Sequence, residues 1–430
     1  MAQPLTPPYS YRAPRANGAR RLTRPAYTPI HMLSSRVEYV YYLAIAYSLV
    51  SPYLAIEVPL VAAGMTVGLA GVCYVQLGPQ ATAVVAPIEA LLACALSFIF
   101  IQVAFHGISL WDPIIRTFVL WICGMVIMQA LCLRRGFVRR CTLAIFALGL
   151  VAVPGLSFGS SGSVARAAAG VDLGGNLRNA NGLGAWFGFC FVSFAILGVQ
   201  TKGLTSRALY WLAAAGSLSI AGLSVSRGAL IASAIAATVG FRDVLKRGFL
   251  PLLFLVVLGG VIVESELFGH VVSLYEARGM EETGRVLLWP HVIDRIAAAP
   301  LVGVGMADIS TYVPEAGHSI STPHNSFLFF ALSSGLVPLA FWTLFWLRAG
   351  YRSLAHRQSP GYGPFQLPLF LYLCVHFVLG DINLDPWVLL AFAVVAGSGV
   401  SHPRLPSRVV STCEGLRRHR SPRECSSTAL

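Results

Sequence analysis

Long apolar runs separated by short polar connections decide what this chain can fold into. One of them, Phe327 to Leu347, reaches the roughly 20 residues that carry an α-helix across a bilayer. Similar runs recur so densely that 56% of the 430 residues are hydrophobic and 11% are charged. A soluble domain carries about 25% charged residues. Backbone polar groups facing lipid must be satisfied within their own segment, which favours helices. The composition therefore implies an all-α fold, a polytopic transmembrane helical bundle. We read twelve spans, at 37–55, 58–77, 82–105, 110–133, 141–156, 181–200, 207–223, 228–241, 249–263, 326–347, 366–380 and 384–400. The last two are divided at Gly380-Asp381-Ile382-Asn383, which could instead be a break inside one long helix. No internal repeat at a fixed period is seen.

The formal charge of +13 would suit nucleic-acid binding, but the basic residues sort by loop. Cytoplasmic loops of membrane proteins are rich in Lys and Arg. With the N-terminus inside and twelve alternating spans, 24 of the 31 Lys and Arg fall on inner segments. Arg116 lies within a span near its outer end. Six remain outside: Arg166, Arg178, Arg227, Arg278, Arg285 and Arg295. This sorting predicts an even number of spans, both termini cytoplasmic, membrane lipids as contacts of the basic tails, and no nucleic-acid partner.

Three parts follow. Residues 1–36, with Pro7-Pro8, Arg20-Arg21 and Arg24-Pro25, form a polar N-tail that lacks a cleavable signal pattern and reads as disordered. Residues 37–400 form the membrane domain, with an outer cap at 264–325, and 401–430 form a cytoplasmic C-tail. The nine cysteines lie in or beside apolar runs or in the C-tail. They imply neither a disulfide framework nor a metal site.

The polar loop from Glu264 to Pro323, between spans 9 and 10, gives way abruptly to the apolar run at Phe327. Within it, Thr283 can cap a helix running to Ile296. Val286, Trp289, Ile293 and Ile296 would share its apolar face, although Pro290 interrupts it. Thr322-Pro323-His324-Asn325-Ser326-Phe327 then sits at the mouth of a membrane helix. Three outer arginines stand in compact motifs despite the topology bias: Arg166 before Asn179-Ala180-Asn181-Gly182, Arg227 in Ser226-Arg227-Gly228, and Arg285 in Thr283-Gly284-Arg285. A histidine at this boundary suits proton transfer near neutral pH. Arginine forks suit phosphate oxygens. Together they fit transfer of a sugar from a lipid diphosphate to a hydroxyl. The outer acids show no Asp-x-Asp cluster, so a metal is not implied.

These pieces, in this order, resemble the O-antigen ligase and polymerase superfamily of bacterial envelope glycosyltransferases. The resemblance rests on Asn179 to Ala185, Ser226-Arg227-Gly228-Ala229-Leu230, Gly284-Arg285 with Trp289, Pro300 to Gly305, and His324-Asn325-Ser326-Phe327-Leu328 followed by Gly335 to Leu339. It covers roughly residues 160 to 350; the first five spans contribute almost nothing. The resemblance implies an inverting, metal-independent enzyme of the bacterial inner membrane, without a cofactor. Its donor would be undecaprenyl-diphosphate-linked glycan on the periplasmic face. His324 matches the family's catalytic histidine. Arg227 and Arg285 match its diphosphate-binding arginines, with Arg166 assisting and Asn325 and Asn181 supporting. The family often shows Asn-Pro-Asn where this chain has Asn179-Ala180-Asn181. The expected acceptor is the lipid A–core saccharide, as in a ligase. The alternative is a polymerase extending a lipid-linked glycan.

Plainer readings stand beside these. His324 could be an interfacial or capping histidine, Arg227 could snorkel to headgroups, and Arg285 could pair with Glu281 or Glu282. Asn325 reads as a structural cap and Trp289 as core of the cap helix. His318 is a backup base. Glu89, in the third span, reads as a deep acid, functional or paired within the bundle. A polysaccharide-precursor transporter is the competitor from another class. It would show internal repeats, with broken helices and ionisable groups near the midplane, whereas here the distinctive polar residues gather at the outer boundary, with little at the midplane besides Glu89.

Overall fold

Helices carry almost all of the chain that the computed structural model describes: residues 35–50, 59–134, 136–152, 156–161, 164–169, 180–240, 242, 269, 285–314, 317–355, 363–380 and 385–397. The first group comprises α1 (Ser35–Val50), α2 (Pro59–Leu77), α3 (Ala81–Val85), α4 (Glu89–Ala104), α5 (Pro113–Leu131) and α6 (Phe137–Ala152). A hairpin of β1 (Leu156–Ser161) and β2 (Val164–Ala169) follows. Then come α7 (Ala180–Gln200), α8 (Leu204–Leu223), α9 (Arg227–Gly240) and α10 (Arg285–Ala298). The chain continues through β3 (Thr311–Val313), β4 (His318–Ile320), α11 (Ser326–Ser334), α12 (Leu336–Ala355), α13 (Gly363–Val378) and α14 (Pro386–Ala396). Eleven of the predicted spans overlap these helices. The ninth, 249–263, and both tails lie outside the described residues. Among those described, Ala63–Ala104, Pro113–Leu131 and Ala180–Gln200 are long and apolar enough to cross a membrane.

Four expectations need correction. The fold is not purely helical, because two short antiparallel hairpins interrupt it. The predicted span 326–347 is two helices, broken at Gly335. In the cap helix α10, which continues through Pro290, Trp289 and Ile296 of the expected face pack against the core, but the fully buried residues are Leu288 and Val292, and Ile293 is exposed. Thr283, its expected cap, lies outside the described residues. Glu89 is not deep. It opens α4 after the 3-10 turn Ala86–Ile88, its side chain is more than half exposed, and it pairs with Arg348.

Small residues let the helices meet. A Cβ on Gly188 of α7 would lie 2.6 Å from the Tyr372 hydroxyl and 2.8 Å from Ser233 Oγ, so α7, α9 and α13 pack at close range, as small residues permit in membranes. Tyr372 donates to Ala185 O at 2.6 Å. The aromatic core centres on the fully buried Trp342, whose ring contacts Trp121, Phe330, Phe377 and Phe392. It joins α5, α11, α12, α13 and α14.

Polar contacts separate the two ends of the bundle. At one end, Arg352 donates to Ala396 O and Pro87 O, and Gln129 at the end of α5 donates to Gly397 O. Just beyond α5, Arg134 pairs with the buried Glu38 of α1. Arg140 engages both oxygens of that carboxylate, at 2.7 and 2.8 Å. These arginines are ones the charge rule assigns to inner segments.

At the other end, loop 300–306 docks into the α11–α12 break. Val304 N donates to Leu332 O, Gly305 N to Ser333 O, and Leu336 N to Pro300 O. Gln102, fully buried near the end of α4, braces this junction: its Nε2 donates to Ser333 O at 2.7 Å and Ser334 Oγ at 2.8 Å, and its Oε1 accepts from Met306 N. His106 Nε2 lies 2.9 Å from Val302 O. Gln102→Met keeps the volume but strands the Met306 N–H. We expect a loss of about 1–3 kcal/mol, read as a lower melting temperature of the protein in detergent. An unchanged melt would show that the brace carries no stability.

Candidate functional site

The motif residues stand at the starts of helices. Asn181 is the second residue of α7, Arg227 and Arg285 are the first residues of α9 and α10, and Asn325 caps α11. A helix start presents unsatisfied N–H groups and the positive end of the macrodipole, so it favours anions.

Contacts link these starts into one end of the bundle. A Cβ on Gly184 would fall 2.4 Å from Ser224 Oγ and 2.6 Å from Ser226 Cβ, so the Asn181 segment rests on the turn that delivers Arg227. Gly228 faces Leu379, just past α13. From there Phe377, Trp342 and Phe327 form a chain of ring contacts to the start of α11. The cap joins from above this end: Trp289 Nε1 of α10 donates to Pro323 O at 3.0 Å. Trp289 is thus more than core; it fastens the helix that Arg285 opens to the residue preceding His324.

Two non-glycine residues hold left-handed backbone conformations among those described, Val225 at φ 51° and His324 at φ 50°. Such conformations store about 1–3 kcal/mol each and cluster at functional sites. For the β-branched Val225 this is a true outlier. It is fully buried and lies two residues before Arg227. His324 is half-buried, with Nδ1 3.4 Å from Thr322 Oγ1. Asn325 is buried, and its side chain accepts from Phe327 N at 2.9 Å and Leu328 N at 3.1 Å. The cap fixes the first turn of α11, and the kink at His324 turns the chain into it.

Other predicted residues are placed less fully. Arg166 lies on β2 opposite Gly159, and β2 runs against α7. His318 lies on β4 opposite Val313. Arg295 is structural: it donates to Ser310 O, Thr311 Oγ1 and Asp308 O, holding the segment that leads into β3.

Sequence reasoning passed over Gln102 and His106, although a polar pair at the end of an apolar span was the available signal. It also passed over His376 and Asp385. The His376 ring lies 5.0 Å from that of Trp387, whose Nε1 donates to the buried Asp385 carboxylate at 3.2 Å. Both flank the α13–α14 connection near Leu379.

Helix architecture and apolar composition define this chain as a multi-pass α-helical membrane protein with its motif residues gathered at one bundle end. Residues 211–343 match the family model Wzy_C, O-antigen ligase, a match that supports the O-antigen ligase superfamily. The matched stretch contains Arg227, Arg285, His324 and Asn325 and leaves out Asn181 and Arg166. No curated protein matches the chain.

Proposed function

We propose that this protein transfers a glycan from undecaprenyl diphosphate to an acceptor hydroxyl on the periplasmic face of the bacterial inner membrane. One observation carries the reading. His324, in a strained conformation and anchored by the buried Asn325 cap, shares a bundle end with the arginine-bearing helix starts, within the stretch that matches the O-antigen ligase family.

In this reading the acceptor oxygen attacks the anomeric carbon as His324 takes its proton. The tautomer that places a hydrogen on Nδ1 donates to Thr322, and the Nε2 lone pair accepts the acceptor's proton. The bond from the anomeric carbon to the diphosphate oxygen breaks, and its electron pair leaves with the phosphate. Arg227 and Arg285 hold that oxygen's developing charge, assisted by Arg166 and by the helix starts. The positive charge comes from guanidinium groups, so the step runs without a metal ion. Direct displacement inverts the anomeric carbon. Asn325 and Asn181 position the helix starts.

The acceptor we favour is the lipid A–core saccharide, with a second lipid-linked glycan as the polymerase alternative. In this reading the bundle end that carries Arg134, Arg140, Arg348 and Arg352 faces the cytoplasm, in keeping with the charge rule. The broken helix at Gly335 does not favour a transporter, because its gap is filled by the backbone of Leu301 and Val302 instead of lining a cavity.

The test uses purified full-length protein in lipid nanodiscs, lipid-linked O-antigen as donor, lipid A–core as acceptor, and a chelator throughout. Arg227→Ala should lower turnover by roughly 10²–10³-fold. Arg227→Lys should recover part of it, because lysine keeps the charge but loses the fork. Full turnover in both variants would remove Arg227 from the site. Products that extend only a second lipid-linked glycan would make the protein a polymerase.

A further inference from the structure

We propose that a basic cleft between α6 and α8, at the bundle end opposite the motif residues, binds the headgroup of an anionic phospholipid. Arg139 stands in the first turn of α6, Lys202 in the turn between α7 and α8, and Arg207 in the first turn of α8. All are exposed.

Stacked rings fix the cleft. The Arg139 guanidinium lies over the Tyr210 ring of α8, 5.6 Å from its centre, where the ring face attracts a cation. Tyr210 is buried and stacks on Phe194 of α7, with centroids 6.1 Å apart. Phe146 of α6 meets Phe194 edge-on at 4.9 Å. Gly198 lets α8 come close to α7, because a Cβ there would lie 3.1 Å from Trp211 Nε1. Three helices therefore place Tyr210, and Tyr210 places Arg139. Arg207 precedes Tyr210 by three residues, so the two are neighbours on the helix surface.

The charges of this cleft differ from those around it. Arg134 and Arg140 pair with Glu38, Arg348 pairs with Glu89, and Arg352 donates to Ala396 O and Pro87 O. Among the described residues, no carboxylate pairs with Arg139, Lys202 or Arg207. No acid stands in the first turn of α8 and no side chain caps it. Lys202 and Arg207 are thus set against the positive end of that helix's macrodipole. An anion seated among the cations turns these repulsions into attractions. Arginine forks pair with phosphate oxygens, and basic pockets between membrane helices bind phospholipid headgroups at the cytoplasmic side, to which the reading above turns this end.

The face of α6 that carries Arg139 commits the site to a lipid. Leu143, Phe146 and Leu150 follow four, seven and eleven residues later, on the same side of the helix. Leu143 and Leu150 are exposed and Phe146 is half-buried. They form an apolar strip leading from the cations into the bilayer, along which an acyl chain can lie. A free phosphate would leave that strip unused.

The test titrates the full-length protein in detergent with phosphatidylglycerol, with phosphatidylcholine of the same acyl chains, and with inorganic phosphate as competitor. Lipid retention is read by native mass spectrometry. Wild type should retain phosphatidylglycerol in preference to phosphatidylcholine. Arg139→Gln and Arg207→Gln should each weaken phosphatidylglycerol binding roughly fivefold, the worth of one basic residue beside an anionic headgroup. Arg36→Gln removes the same charge from an exposed position on α1 and should leave binding unchanged. Equal weakening in all three variants would reduce the effect to overall charge and overturn the cleft. Equal retention of the two lipids by wild type also overturns it, whether or not the variants fold. Displacement of the lipid by inorganic phosphate would make this a free-anion site and end the lipid assignment.

Discussion

Replacing His324 by asparagine should reduce glycan transfer by about 10²–10⁴-fold, the range for loss of a positioned general base, while the protein folds and inserts normally. Asparagine is the informative choice because of the backbone. His324 sits at φ 50°, where most side chains are strained but Asn, like His, is several-fold enriched. The substitution therefore removes the imidazole without adding cost to the turn. The Asn325 cap, with its bonds to Phe327 N and Leu328 N, stays in place, so α11 still starts where it should. His324→Gly relieves the strain altogether and opens space for free imidazole. Added imidazole should restore part of the transfer in His324→Gly and none in Arg227→Ala. A capping or interfacial histidine would show no such rescue. Turnover near the wild-type rate in His324→Asn would remove the base from the mechanism.

Replacing Gly335 by alanine should also abolish activity, although this residue contacts no reacting group in the proposed mechanism. Its φ of 78° and ψ of −165° fall in a region essentially restricted to glycine. A Cβ there would lie 2.2 Å from Leu301 O and 2.3 Å from Leu301 C. Both are backbone atoms, so relief requires loop 300–306 to move. That loop is bonded through Val304 N and Gly305 N to Leu332 O and Ser333 O. We expect a loss of roughly 3 kcal/mol or more, the range of backbone strain combined with broken hydrogen bonds. Hydrogen exchange should quicken at the Val304 and Gly305 amides, and transfer should fall with it. Protected amides and a wild-type melt would show that the junction accommodates the methyl group.

Much of the helical layout was legible because lipid and core both demand long apolar runs. Eleven predicted spans overlap helices for that reason. The break at Gly335 was passed over because the run from Phe327 to Leu347 is long and largely apolar, although Ser333-Ser334-Gly335 followed by Pro338 is a local stop signal. Nothing local shows that Pro300 to Gly305, some thirty residues earlier in the chain, occupies the gap. Glu89 was misplaced for a related reason. An acid inside an apolar run looks deep until a turn at Pro87 brings it to the exposed partner Arg348. The cap face was only partly legible: Trp289 and Ile296 do pack against the core, but periodicity alone does not say which neighbours cover a helix, and with α11 and β3 packed on α10 it is Leu288 and Val292 that are buried and Ile293 that is exposed. The first five spans carried no motif, yet Gln102 among them braces the junction next to the candidate site.

By itself the sequence determined a multi-pass helical membrane protein and the order of its polar motifs, since apolar run length and residue type are local properties. Which motifs meet was decided only by tertiary structure. Gly184 resting on the Ser224–Ser226 turn and Trp289 reaching Pro323 are contacts between segments distant in the chain, and they depend on helices packing at close range. The left-handed conformations of Val225 and His324 belong to the same category. The β-branched Val225 strongly disfavours that backbone and His324 tolerates it better, but in both the surrounding packing holds the residue there.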